Sequence, residues 1–248
     1  MNRRTLLKSV PALTVLAAAQ YGRAYWPAGS GRAEEAAPAA APAQDLQPIV
    51  LPKPQTDGGK SVLAALQERR TNRSIKPDAL PPQMLSNLLW AAFGVNRDKG
   101  GGQVGRTAAS ASNSQEIDLY VILPEGVYLY EAVPHRLAPV VAGDLRAKVA
   151  DHGRGGGAAK APVNLIFVAD IARFSKARFQ EPGLKDPEIQ KSYYCVATGL
   201  IAGNVYLFAA SQGLAAWFHN CNKPALAAEL KLRPDQRVLY AQTVGYPA

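Results

Sequence analysis

From about residue 60 onward the chain falls into stretches with clear hydrophobic periods. SVLAALQERR (61–70) sets Val62, Leu63, Ala65 and Leu66 at helical spacing and predicts a short helix. LPPQMLSNLLWAAFG (80–94) predicts a second, with Pro82 in its first turn and Gly94 as its stop. IDLYVIL (117–123) reads as a strand, and the alternating GVYLYEA (126–132) as its hairpin partner or a near neighbour. PVNLIFVAD (162–170) carries a continuous apolar run over 165–169 and suits a strand buried on both faces. A long helix follows from about 186 to 210, then a strand over 213–219, a short helix over 224–232 and a last strand over 237–246. The elements show no repeat and no strict βαβ alternation, which predicts an α+β fold.

The long helix contains eighteen residues without a charge, YYCVATGLIAGNVYLFAA (193–210). That is the lower edge of what a membrane span requires, roughly 20 residues. Thr198 and Asn204 would be costly in lipid, and Gly199 and Gly203 would let another element approach. A buried helix fits better, with part of its surface covered by a second subunit.

The first residues follow a different pattern. MNRRTLLKSVPALTVLAAA places Arg3 and Arg4 before an apolar run of about ten residues, too short to span a bilayer. This is the layout of a secretory signal, of the twin-arginine kind, expected over residues 1–26. Residues 27–57 are rich in Ala, Pro and Gly and read as a flexible linker, which leaves a folded domain over 58–248. The twin-arginine route moves proteins already folded, often with a cofactor inside, and the mature protein is then expected in the periplasm or otherwise outside the cytoplasm.

Composition changes little in this picture. The chain has 248 residues, 48% of them apolar, enough for one sizeable core. Its formal charge is +9, and residues 1–43 hold five basic and two acidic groups, so about +6 remains beyond them. That excess suits an anionic ligand. The basic residues are scattered and form no nucleic-acid signature.

Common reaction centres are missing from the sequence. His135, His152 and His219 lie far apart without metal-ligand spacing, and Cys195 and Cys221 form no CxxC pair, so no metal site is expected. A disulfide between the two cysteines stays open for an exported chain, with Cys195 alone read as inert core. There is no GxSxG elbow, no Walker loop and no GxGxxG turn. Cofactor chemistry remains the better enzymatic route.

Two segments stand out. ERRTNRSI (68–75) crowds Arg69, Arg70 and Arg73 with Thr71 at a helix end. Guanidinium forks and a hydroxyl fit phosphate, although a solvated basic helix end has the same look. RTAASASNSQ (106–115) is a run of small residues closed by Asn113 and Gln115. By composition alone it is a turn-rich loop.

Together these segments resemble the nitroreductase family of FMN-dependent oxidoreductases, and in particular the branch that includes azoline-type dehydrogenases. RRTNRSI is similar to the family's RRSxRxF phosphate segment through Arg69, Arg70, Thr71 and Arg73, with Ile75 in place of the aromatic residue. RTAASASNSQ is similar to its RTaPSxxNxQ loop through Arg106, Thr107, Ser110, Asn113 and Gln115. LLWAAFGVN (88–96), EGVYLYEAVPHRL, GDLR, NVYLFAASQGL (204–214) and the closing VGYP follow in the expected order, so the likeness spans about residues 60–247. Three departures are Ala109 for the usual proline, Ile117 where many members carry Trp, and Ala197 near a position that is often acidic. Members with a longer tail bring basic residues to the phosphate, so here the arginine cluster would carry more of that task.

The resemblance implies a central, mainly antiparallel sheet flanked by helices, with the long helix at a homodimer interface and FMN held there. Arg69, Arg70, Thr71 and Arg73 would bind its phosphate. Ser110, Asn113 and Gln115 would meet the ring or frame the loop against it, in the same or the partner subunit. Trp217 or Phe218 would line the pocket. Chemistry would take place at flavin N5 in ping-pong fashion, from a small-molecule donor to a small organic acceptor, with no catalytic side chain required. If the protein is exported, a quinol, a redox partner or the substrate itself would replace NAD(P)H as donor. A flavin-binding module of the same fold that has lost turnover is the alternative.

Overall fold

The computed structural model describes residues 45–98, 100, 103–150 and 156–248. The expected signal over 1–26, residues 27–44 of the expected linker, Gly101, Gly102 and His152 lie outside the described residues. In chain order the regular elements are β1 (Ile49–Val50), α1 (Val62–Glu68), α2 (Pro82–Phe93), β2 (Val95–Asp98), β3 (Val104–Arg106), β4 (Ile117–Leu123), β5 (Gly126–Glu131), β6 (Arg136–Ala142), α3 (Gly156–Lys160), β7 (Val163–Asp170), α4 (Pro187–Ser211), β8 (Ala215–His219), α5 (Lys223–Glu229) and β9 (Gln236–Gly245).

Seven strands form one sheet in the order β1-β6-β5-β4-β7-β9-β8, with every neighbouring pair antiparallel. β2 and β3 form a separate antiparallel ribbon. This is the α+β fold with an antiparallel central sheet that the sequence implies. Side chains alternate across a strand, so a central strand covered on both sides is apolar at every position. Leu119, Val121, Leu165 and Phe167 face Leu88 and Leu89 of α2 and Ile201 and Val205 of α4. Tyr120, Ile122, Ile166 and Val168 face the opposite way, toward Leu226 of α5 and Ala158 of α3. The largely apolar runs of β4 and β7 are thereby explained, with Asp118 and Asn164 as buried polar exceptions.

α2 starts on Pro82 and ends where the Gly94 N–H closes on the Trp90 carbonyl at 2.8 Å. A Cβ at Gly94 would sit 2.6 Å from that carbonyl, so the close turn requires glycine. α4 is capped by Asp186, whose carboxylate accepts from the N–H groups of Glu188 and Ile189. It buries a stripe of Tyr194, Ala197, Thr198, Ile201, Ala202, Val205 and Ala209. By length and composition α4 could cross a membrane, yet this stripe packs on α2 and the sheet. The expected buried helix is thus covered on that side by its own chain. On the other side Val196 is 62% exposed and Leu200 45%.

Three expectations are corrected. The linker predicted over 27–57 does not run free to its end: Ile49 and Val50 pair with Leu137 and Arg136, and Leu51 is only 6% exposed. A short apolar trio in a Pro-rich stretch escapes a composition argument. β6 was not predicted because Pro139 interrupts it. The proline is tolerated because β1, the strand outside β6, is only two residues long and does not reach it. Cys195 is exposed rather than core, whereas Cys221 is buried.

Candidate functional site

The arginine-rich segment starts at a helix end, as expected, and then leaves the helix. α1 stops at Glu68, the Arg69 N–H closes on the Ala65 carbonyl at 2.8 Å, and the chain turns extended. It then runs along β8, the last strand of the sheet, where the Asn72 N–H donates to the Ala216 carbonyl at 3.0 Å. An exposed strand edge is covered in this way. Arg69, Arg70, Thr71 and Arg73 all face solvent. Among the described residues none of the three guanidinium groups forms an ion pair. Three cations without carboxylates, next to a hydroxyl, fit an anionic group such as a phosphate.

Aromatic side chains hold this segment in place. Arg69 lies over the Tyr206 ring at 5.4 Å and Arg73 over Trp217 at 5.6 Å. Trp217 is in turn stacked on His219, with ring centres 4.1 Å apart. The Thr71 hydroxyl is 3.1 Å from the Tyr206 hydroxyl, which accepts the Phe218 N–H at 2.8 Å. Glu68, Arg70, Asn72, Tyr206, Gly213 and Ala216 line a cavity of about 120 Å³, with the Glu68 carboxylate paired to Lys60. Tyr206 is the residue that sequence reasoning missed, since in NVYLFAA it looks like one more apolar helix position.

The small-residue loop is built by its own polar side chains. Arg106 donates to the Gln115 side-chain oxygen at 2.7 Å and to the Phe93 carbonyl at 3.0 Å, with its guanidinium over the Phe93 ring. Burial pulls its pKa down to about 10. The amides of Gln115 and Asn113 both donate to the Val104 carbonyl, at 2.8 and 3.3 Å. Ser110 accepts the Gln115 N–H at 2.9 Å. Asn113 and Gln115, expected at the ring or the loop framing it, thus use these contacts to frame the loop. The backbone they hold is costly: Ser112, Asn113 and Gln115 have φ of 48°, 55° and 49°.

A buried ionic group fixes the far end of the loop. Arg173 donates to the Gln115 carbonyl at 2.7 Å and pairs with Asp118 and Asp170. Burial raises the Asp118 carboxyl, and Arg173 opposes that shift. GDLR has a similar structural role: Asp144 and Arg146 form a two-pronged pair, and Arg146 also donates to the Ala161 carbonyl at 3.0 Å.

Within one chain the two halves of the site line different cavities. Thr107 of the loop lines a second cavity, about 320 Å³, with Lys60, Trp90, Asn204 and Phe208. α4 contributes to both, through Tyr206, Ala209 and Ala210 on one and Asn204, Leu207 and Phe208 on the other.

A sequence model described as Nitroreductase family matches residues 66–246. Among solved structures, a protein from Ralstonia eutropha JMP134 assigned as a nitroreductase is 37% identical, with 81% of this chain and 90% of that chain covered and a TM-score of 0.71. The E. coli microcin synthetase McbBCD complex with truncated pro-MccB17 is similar in fold at 19% identity, covering 73% of this chain and 70% of that one, with a TM-score of 0.58. The NADPH:FMN oxidoreductase of Vibrio harveyi complexed with NAD+ is likewise similar in fold at 17% identity, with 75% and 68% covered and a TM-score of 0.54. A comparison with curated protein sequences found no match.

Proposed function

The chain belongs to the nitroreductase family, and on that premise we propose that it is an FMN-dependent oxidoreductase that acts as a homodimer. The observation that carries this reading is the set of unpaired guanidinium groups of Arg69, Arg70 and Arg73 beside the Thr71 hydroxyl. Bound FMN would supply hydride transfer in two half-reactions, from a donor and then to a small organic acceptor. The protein's residues bind and orient. The arginines neutralise the phosphate, and Thr71 offers it a hydroxyl. The loop from Ala109 to Ser112 offers a surface of small side chains, and Trp217 closes a wall.

Several features support a second copy. Leu63 and Leu66 of α1 and Val196 and Leu200 of α4 are exposed apolar groups, and among the described residues no atom stands near the position of a Cβ at Gly199 or Gly203. A partner there would also explain why the loop and the arginine cluster line separate cavities. The azoline-dehydrogenase branch rests on the sequence motifs, to which McbBCD adds a likeness of fold. The twin-arginine-like start favours export of the folded, flavin-loaded protein, with a donor other than NAD(P)H. Finding the protein only in the cytoplasm would remove export without touching the enzymatic reading.

The test is spectroscopic. The purified protein should be yellow, bleach with an electron donor and recover its colour with a quinone or a nitroaromatic. A yellow protein that never turns over favours a silent flavin module. A colourless protein that takes up no added FMN rejects both.

A further inference from the structure

Tyr206 sits between the arginine-rich segment and the sheet, and its hydroxyl is bonded on two sides. The Phe218 N–H can only donate, and it donates to the Tyr206 oxygen at 2.8 Å. Thr71 Oγ1 lies 3.1 Å from the same oxygen and the two hydroxyls can bond in either direction; the direction with Tyr206 as donor is the one that leaves the Thr71 hydrogen for a ligand. With Tyr206 as donor, the Thr71 oxygen accepts and its own hydrogen is left to point elsewhere. Thr71 is exposed, adjacent to Arg70 and two residues from Arg73. Hydrogen bonds in series polarise one another, so the last hydroxyl is a better donor than an isolated one.

We propose that Tyr206 is a positioning residue of the cofactor site, which orders a chain from Phe218 N–H through Tyr206 OH to Thr71 OH so that Thr71 donates to the phosphate of FMN. This rests on the flavin reading above. It assigns Tyr206 to the phosphate end rather than to the ring. The stacked Arg69 side chain acts in the same sense, because the Tyr206 ring limits where that guanidinium can go. Tyr206 also occupies the Phe218 N–H at the sheet edge, so that group is not free for a ligand.

The discriminating ligand is riboflavin, which lacks only the phosphate. Full-length protein stripped of flavin is titrated with FMN and with riboflavin, in wild-type form and as Tyr206→Phe, Thr71→Val and the double variant. Loss of the Thr71 hydrogen bond to the charged phosphate should weaken FMN binding of Thr71→Val by roughly tenfold or more, and Tyr206→Phe should weaken it in the same sense by no more than that, with riboflavin affinity unchanged in both. The double variant should be no weaker than Thr71→Val, because both changes cut the same chain. Equal weakening toward both ligands, no change toward either, or simple additivity would each overturn the role of Tyr206. If Tyr206→Phe fails to fold, Thr71→Val alone must show the same selectivity for the phosphate, and equal losses there also overturn it. Wild-type protein that binds neither flavin overturns the functional reading and this inference together, whereas FMN binding that ignores both substitutions removes only the inference.

Discussion

The side-chain amide of Asn204 donates to the Thr107 carbonyl at 3.2 Å and to that of Ala92 at 3.4 Å, joining α4 to the start of the small-residue loop and the end of α2. Two residues along α4, Tyr206 holds the arginine segment. One helix therefore positions both halves of the site. Asn204→Ala would leave the Thr107 carbonyl without this donor. The expected cost is about 1–3 kcal/mol, read as a lower urea midpoint at unchanged slope. Flavin affinity should fall with it, and a variant as stable as wild type would show that the loop stands without α4.

The arginines should dominate cofactor retention. Arg70→Ala with Arg73→Ala removes two charge-assisted contacts, each worth roughly 1.5–3 kcal/mol. Both side chains are exposed and form no ion pair among the described residues, and Arg73 gives up only its contact with the Trp217 ring, so the fold should lose little. The ratio of flavin to protein absorbance after desalting should drop sharply, while the unfolding midpoint of flavin-free protein stays put. Unchanged retention would place the phosphate elsewhere.

The exposed apolar side of α4 should be an interface. Leu200→Glu places a charge on a position 45% exposed within one chain, a mild change for a monomer. In a dimer core the same charge is buried without a partner. Sedimentation should show a shift toward monomer and loss of flavin. A variant that remains dimeric would put the interface on another face.

Much of this architecture is legible in the sequence, and the reasons differ by element. β4 and β7 are apolar at most positions because both faces are covered, with Asp118, Asn164 and Asp170 as buried polar exceptions, and Ile117–Leu123 begins and ends where the pattern does. α2 is bounded by Pro82 and Gly94, whose backbone roles are local. β1 and β6 are less visible, because a two-residue strand and a proline-bearing one depend on each other's pairing rather than on a period. The arginine cluster and the loop stand out as unusual composition. What composition cannot supply is the direction of side chains: Asn113 and Gln115 turn back to Val104, and Tyr206 turns from an apolar-looking helix toward Thr71.

His135 should make stability depend on pH. Ser86 gives its hydrogen to the Pro52 carbonyl, so His135 Nε2–H donates to Ser86 Oγ at 2.7 Å, and Nδ1 accepts from the Tyr130 hydroxyl at 3.0 Å. That bonding suits a neutral ring, and burial holds its pKa below the ordinary imidazole value. On acidification the unfolded chain takes up the proton first. The contribution is complete above about pH 6.5 and is lost as pH falls through the lower folded value. Urea midpoints should decline from pH 7 to pH 5, and the decline should be shallower in His135→Gln. His219, lowered by burial as well, supplies part of the remainder. An identical slope in the variant would mean that His135 titrates normally.

Glu116 should act in the opposite sense. Its side chain is fully buried; Oε2 accepts from the Ser114 hydroxyl at 2.6 Å and Oε1 has no partner. Burial raises its pKa above the ordinary carboxyl value, an effect that outweighs the Ser114 bond. The folded state keeps the proton to higher pH than the unfolded chain does, so this contribution is present at low pH and is lost as pH rises through the folded value. Glu116→Gln keeps the shape and the Ser114 contact but cannot ionise. It should match wild type near pH 4 and exceed it at pH 8, where the wild-type carboxylate is buried with one oxygen unpaired. A variant that is weaker at pH 8 would mean that the charge is compensated, with Arg173, whose charge favours the ionised form, as the group to test next.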